Sequence, residues 1–262
     1  MAETKYEVHV REKFYLFLQA AISVLIYATY FTLIASEVGL IGACIFFTFF
    51  ALCALLLSWL EFMFLGGFIK GNAVKASPHQ FKEIFDIVNE QSKALGLKKV
   101  PKVYVLYVGG WINAFVAKFL RKYYVVLFAP VVEEAYKDGK DTLRFIVGHE
   151  LGHIKRNHLG FWVHFFTFPA RLIPFLSNAY SRAREYTCDR IGYALAPNGA
   201  FKGMGLLAVG PLLYRKLDMK AWLSDGEEER GFATGLTELF STHPHLINRM
   251  RALDSLQRDK DK

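Results

Sequence analysis

The sequence predicts a mainly α-helical fold with a small β-sheet (α+β), preceded by a transmembrane helical hairpin. Three observations lead there. Two long uncharged apolar stretches stand near the N-terminus, two short runs rich in Val and Tyr follow, and capped helical patterns fill the rest of the chain.

Hydrophobic residues make up 53% of the 262 positions, aromatics 16% and charged residues 21%. That is more apolar and less charged than a soluble domain tends to be. The excess sits in Phe14 to Ser36 and Val38 to Leu60, each free of charge and each longer than the roughly 20 residues a bilayer requires. Neither stretch has a polar face to turn to water, as a soluble core helix would. The first is also too long for the apolar part of a signal peptide, about 7 to 15 residues, and no small-residue cleavage site closes it.

Lys5, Arg11 and Lys13 precede the first stretch, and Lys70, Lys75 and Lys82 follow the second, whereas the turn near Glu37 has no basic residue. Retention of positive charge in the cytoplasm then gives a cytoplasmic tail over 1–13, a hairpin over 14–66 with spans at about 14–36 and 38–60, and a domain over 67–262 on the cytoplasmic side. The net charge of +8 comes without an aromatic-interleaved basic motif, so a lipid bilayer is the expected partner and nucleic acid is not. Cys44 and Cys53 lie within the second span and Cys188 far from both, which leaves no disulfide framework and no C-x-x-C pair.

Ser77-Pro78 starts a helix that stops near Gly96. "KVYVLY" (102–107) and "KYYVVLF" (122–128) read as strands, with "VGGWINAFVAKFLR" as their connector, and the second is expected to offer an exposed edge to an extended peptide. A helical stretch from Ala129 follows, and Asp141 or Thr142 can cap the next helix, which runs to Gly160. Residues 161–176 are apolar but broken by His164, Pro169, Arg171 and Pro174, and are expected to dip into the membrane or lie at its surface. A helix covers about 179–196, the acidic run Glu227 to Glu229 reads as a solvated loop, and a last helix begins after Pro244.

The helix ending at Gly160 carries "HELGH". Its spacing stacks His149 and His153 on one helix face, where two imidazole nitrogens can serve one metal ion, with Glu150 placed to take a proton from water. A catalytic zinc needs a third protein ligand, and "SRAREYTCD" offers Glu185, with Asp189 one turn on to accept the outer N–H of a ligand histidine. Two surface acids balanced by Arg182, Arg184 and Arg190 would be the bland reading of that second motif alone. Complementary ligand sets on two helices make the metal reading the stronger one. His158 and His164 have no assigned part.

"HELGH", "SRAREYTCD" and "STHPHLINRM", with "INAF" upstream, together resemble the membrane-anchored zinc metallopeptidases of the HtpX and CAAX prenyl protease type. The likeness covers roughly residues 100 to 255, and the placement of the N-terminal hairpin is similar to the HtpX-like branch. It implies a zincin-like (gluzincin) metalloprotease domain holding one zinc ion per chain on His149, His153 and Glu185, with Glu150 as general base and acid and Asp189 behind a ligand. It further implies that Asn113 holds substrate backbone, that His243 acts on substrate or oxyanion, and that Arg249 supports the helix on the substrate side.

The function so implied is endopeptidase cleavage of membrane or membrane-associated proteins, in protein quality control, at a bacterial or archaeal cell membrane. A CAAX-type processing protease and a catalytically silent zinc-binding scaffold are the alternatives. Two spans are few for the first, and Glu150 has no purpose in the second. A site-2-type protease would need an aspartate motif downstream, and the nearest candidate reads "LDM" at 217–219.

Overall fold

The structure, a computed structural model, describes residues 4–109, 113–119, 122–137 and 139–260. Ile112 of "INAF" and the first three residues of the tail lie outside them.

Helix α1 (Val10–Asn72) folds back on itself at Gly39, whose φ of 78° suits glycine and few other residues. The rings of Phe31 and Phe47 lie 5.6 Å apart, where an unbroken helix would separate them by about 24 Å. The two arms therefore form the expected hairpin, turning two residues after Glu37. Large apolar side chains such as Phe17, Leu25, Ile41, Phe49, Leu57 and Phe64 stand exposed along it. At 1.5 Å per residue the first arm reaches roughly 45 Å, longer than the about 30 Å of a hydrocarbon core. Its first turn consequently enters the folded domain, and Glu12 is buried there.

Strand β1 (Val74–Lys75), helix α2 (Lys82–Ala94) and strands β2 (Lys102–Leu106), β3 (Ala114–Phe119) and β4 (Lys122–Phe128) follow, the sheet running in the order β1-β2-β4-β3. β2 and β4 are parallel, and β3 is antiparallel to β4 from Ala114 against Leu127 to Phe119 against Lys122. Here the structure corrects the sequence reading. Part of the expected connector is a strand, and it is β3, not β4, that lies at the sheet edge. The run Ala-Phe-Val-Ala-Lys-Phe is apolar at every position but Lys118 and so lacks the apolar–polar alternation that marks a half-exposed strand; Ala114 and Val116 pack on one core and Phe115 and Ala117 on another.

Helices α3 (Ala129–Lys137) and α4 (Asp141–Lys155) come next. Helix α5 (Phe161–Thr167) and a 3-10 turn (Pro169–Leu172) then lead to α6 (Pro174–Leu195). The segment at 161–176 packs against the first arm of α1. Gln19 donates to the carbonyl of Leu176 (3.0 Å), Tyr27 donates to that of Phe165 (3.1 Å), and Ser23 accepts from the amide of Ala170 (3.1 Å). Spaced by four residues on one helix face, these three side chains tie the first arm to the backbone of the proline-broken segment.

The chain closes with α7 (Pro197–Val209), α8 (Met219–Glu228), α9 (Phe232–Phe240) and α10 (Leu246–Lys260). Glu227 and Glu228 form the end of α8 rather than a loop, and Glu227 pairs with Arg251 at 2.8 Å.

Helix α4 is buried on all sides, with a different neighbour for each face. Leu143, Val147, Leu151 and Ile154 join the core built on the sheet and α2. Phe145 and Ile146 join a second core with Met204 of α7 and Met250 and Leu253 of α10. Gly148 and Gly152 face α6 at near-backbone contact. A Cβ on Gly148 would lie 3.1 Å from the Cα of Gly192, and one on Gly152 would lie 3.2 Å from the Cα of Cys188. The remaining face carries His149, Glu150 and His153.

Replacing Gly148 by Val should push α4 and α6 apart and destabilise the fold by about 1–3 kcal/mol, the usual cost of overpacking. Chemical denaturation of the purified chain in detergent measures this; an unchanged midpoint would show that the two helices can separate freely.

Candidate active site

The close approach of α4 to α6 brings Glu185 opposite the two histidines. Nε2 of His149 lies 3.4 Å from Oε2 of Glu185, and Nε2 of His153 lies 3.5 Å from Oε1. These separations are long for a good hydrogen bond. They match the spacing of about 3.3–3.4 Å expected between two tetrahedral ligands each about 2.0–2.1 Å from one zinc ion. The outer nitrogens are already engaged, Nδ1 of His149 by Oδ1 of Asp189 at 2.8 Å and Nδ1 of His153 by Nδ1 of His158 at 3.0 Å. Both rings thus present Nε2 to the same place, and the donor set suits a borderline-soft divalent cation.

A different trio, His149, His153 and Cys188, also has one potential ligand atom from each within 4.8 Å of the others. Cys188 Sγ, however, sits 3.9 Å from Nδ1 of His158, the atom in contact with the outer nitrogen of His153. Burial, with the nearby carboxylates of Glu185, Glu12 and Asp189, pushes its thiol well above the usual range. A neutral thiol on the outer side of the ring is a poorer donor than the Glu185 carboxylate, so we favour the His, His, Glu set.

Asp189 is itself braced. Arg249 donates from Nε to Oδ2 (2.8 Å) and from Nη2 to Oδ1 (2.6 Å), a two-point clamp fully inside the protein. Burial opposes ionisation of Asp189, but Arg249 and the hydrogen bonds from Arg249 and His149 hold its carboxyl below the usual range. Burial likewise works against charge on Glu185, yet the histidines and Arg249 outweigh it and hold that carboxyl well down. For His149 burial lowers the pKa while Asp189 and Glu185 raise it, to about 10 in sum. Glu150 behaves differently: burial, reinforced by Glu185 against the opposing pull of His149 and Arg249, lifts its carboxyl to about 7.

A cleft of about 340 Å³ opens over these groups, with Asn113, Ala114, Phe115 and Val116 on one wall and His243 on another. Asn113 is exposed just before β3, where its Oδ1 accepts from the amide of Ala114 (2.8 Å). His243 is exposed on the loop before α10, with Nδ1 3.0 Å from the Thr242 hydroxyl. The cleft therefore gathers His149, Glu150, His153, Glu185, Asn113, His243 and the edge of Arg249, while Asp189 stands behind His149. Arg249 braces Asp189 from inside, a part the sequence did not suggest. The Glu12–His158 contact and the wall from Ala114 to Val116 were also missed, and "HxxxxH" between His153 and His158 was the one local signal for any of them.

Fold and site describe a metallopeptidase carried on an apolar helical hairpin. The model of Peptidase family M48 matches residues 78–165 and 160–257, and the chain belongs to that family. A curated relative, the protease HtpX homolog of Thermoplasma volcanium, is 28% identical over 294 residues, covering 91% of each chain. Among solved structures, S. mikatae Ste24p superposes with a TM-score of 0.48 at 14% identity, over 91% of this chain and 66% of that one.

Replacing Arg249 by Leu should leave Asp189 buried without its partner and destabilise the protein by about 3–5 kcal/mol. The double substitution Arg249→Leu, Asp189→Asn should recover part of that loss. Denaturation of the three variants measures both, and equal stability of Arg249→Leu and wild type would show that the clamp contributes nothing.

Proposed function

We propose that the chain is a zinc endopeptidase that cleaves membrane or membrane-associated proteins from the cytoplasmic side, in protein quality control. The observation that carries the zinc reading is the meeting of two imidazole Nε2 atoms with one carboxylate at 3.4 and 3.5 Å. The quality-control role rests on the likeness to the HtpX-like branch, and the cytoplasmic orientation on the basic flanks of the hairpin.

His149, His153 and Glu185 would hold the ion, with Asp189 fixing His149 in the tautomer whose Nε2 lone pair is free. A bound zinc would lower the pKa of water and polarise the scissile carbonyl. Glu150, with a carboxyl near 7, can take a proton from the attacking water and return it to the leaving amine at the same pH.

Substrate would lie extended along β3, which has no neighbouring strand on its outer side among the described residues. β4 cannot serve, because β2 and β3 occupy both its sides. Asn113, just before β3, would bond substrate backbone. His243 can accept from Thr242 at Nδ1 and direct its Nε2–H into the cleft toward the developing oxyanion.

Glu150→Gln should abolish cleavage of casein or a membrane-protein substrate while zinc content stays near one per chain, whereas Glu185→Ala should lose the zinc as well. Proteolysis assays with metal analysis on the same samples separate the two. Substantial turnover by Glu150→Gln would remove it as the base, and full zinc content in Glu185→Ala would place the third ligand elsewhere.

A further inference from the structure

The two histidines of the motif are backed unequally. His149 has a carboxylate directly behind it, while His153 has another imidazole. Nδ1 of His158 is 3.0 Å from Nδ1 of His153, and Nε2 of His158 is 3.2 Å from Oε1 of Glu12, on the first turn of the membrane hairpin. Both His158 and Glu12 are 2% exposed.

The proton pattern in this chain is determined if His153 serves the metal through Nε2. Its Nδ1 must then carry hydrogen and donate to His158 Nδ1. That leaves the hydrogen of a neutral His158 on Nε2, pointing at Glu12 Oε1. Every nitrogen is used once, and the series ends on a carboxylate, as the series from His149 ends on Asp189.

We propose that Glu12, acting through His158, is a positioning residue for His153, so that the hairpin completes the metal site as well as anchoring the chain. The proposal rests on the zinc reading above. Other contacts hold the first turn in place for this task. Arg156 donates from Nε (3.1 Å) and Nη2 (3.0 Å) to the same Oε1, the amide of His9 donates to Thr187 Oγ1 (3.1 Å), and the His9 ring stacks on Tyr186 at 5.2 Å. The ion pair with Arg156 on its own would only dock the hairpin. It does not require an imidazole between Glu12 and His153.

The test is the zinc dissociation constant of the full chain in detergent, from competition with a chromophoric chelator, alongside melting temperature. Glu12→Gln and His158→Gln should each weaken zinc binding by about 10- to 100-fold, the usual effect of losing a hydrogen-bond partner behind a ligand. The double variant should be no weaker than the worse single, since both break one series. Arg156→Gln should lower the melting temperature with zinc affinity kept within about threefold, as only docking is weakened.

Unchanged zinc affinity in both single variants would overturn the proposal, as would losses that multiply in the double variant. If Glu12→Gln does not fold, His158→Gln decides: weaker zinc binding supports the series, and wild-type affinity overturns it. A wild-type chain that binds no zinc would instead overturn the metal reading itself.

Discussion

Everything at the site depends on how closely two helices can approach. Gly148 and Gly152 on α4 meet Gly192 and Cys188 on α6 with the backbones nearly touching, and this contact sets Glu185 within 3.5 Å of both histidines. Side chains at those glycine positions would hold the helices apart, and a carboxylate a few ångströms farther off could not share an ion with His149 and His153. The sheet and α2 on one side, and α7 and α10 on the other, then keep α4 from sliding.

Burying this many ionisable groups would be strongly unfavourable without internal compensation. The compensation is local and directional: Arg249 clamps Asp189, Asp189 bonds His149, and Arg249 also lies 3.8 Å from Glu185. Among the described residues Glu150 has no comparable clamp, so burial dominates there and lifts its carboxyl toward 7. One buried cleft thereby keeps one carboxyl ionised and lifts the other toward neutral pH, by environment alone.

Much of this could be read from the sequence because it is periodic and local. The charge-free runs marked the hairpin, and the four-residue spacings in "HELGH" and "SRAREYTCD" placed His149, His153, Glu185 and Asp189 on helix faces that the structure brings together. What escaped was long-range. Gly148 and Gly152 stand in plain view, yet their meaning depends on Gly192 coming opposite them. Strand β3 looked like a connector because its run is apolar almost throughout and only its pairing with β4 gives its two faces separate cores to pack on. Glu12 is one of three glutamates in a tail of mixed charge, and nothing near it in sequence suggests a histidine 146 positions away. Gln19, Ser23 and Tyr27 were likewise scattered polar residues in an apolar run until the broken segment at 161–176 supplied the backbone groups they bond.

The central claim is that two imidazoles and the Glu185 carboxylate hold the metal, with the Cys188 sulfur outside its coordination sphere. X-ray absorption at the zinc edge on the purified, zinc-loaded chain tests this most directly. Nitrogen and oxygen scatterers alone, at about 2.0–2.1 Å, are the predicted result, whereas a sulfur scatterer at about 2.3 Å would make Cys188 a ligand and contradict the assignment.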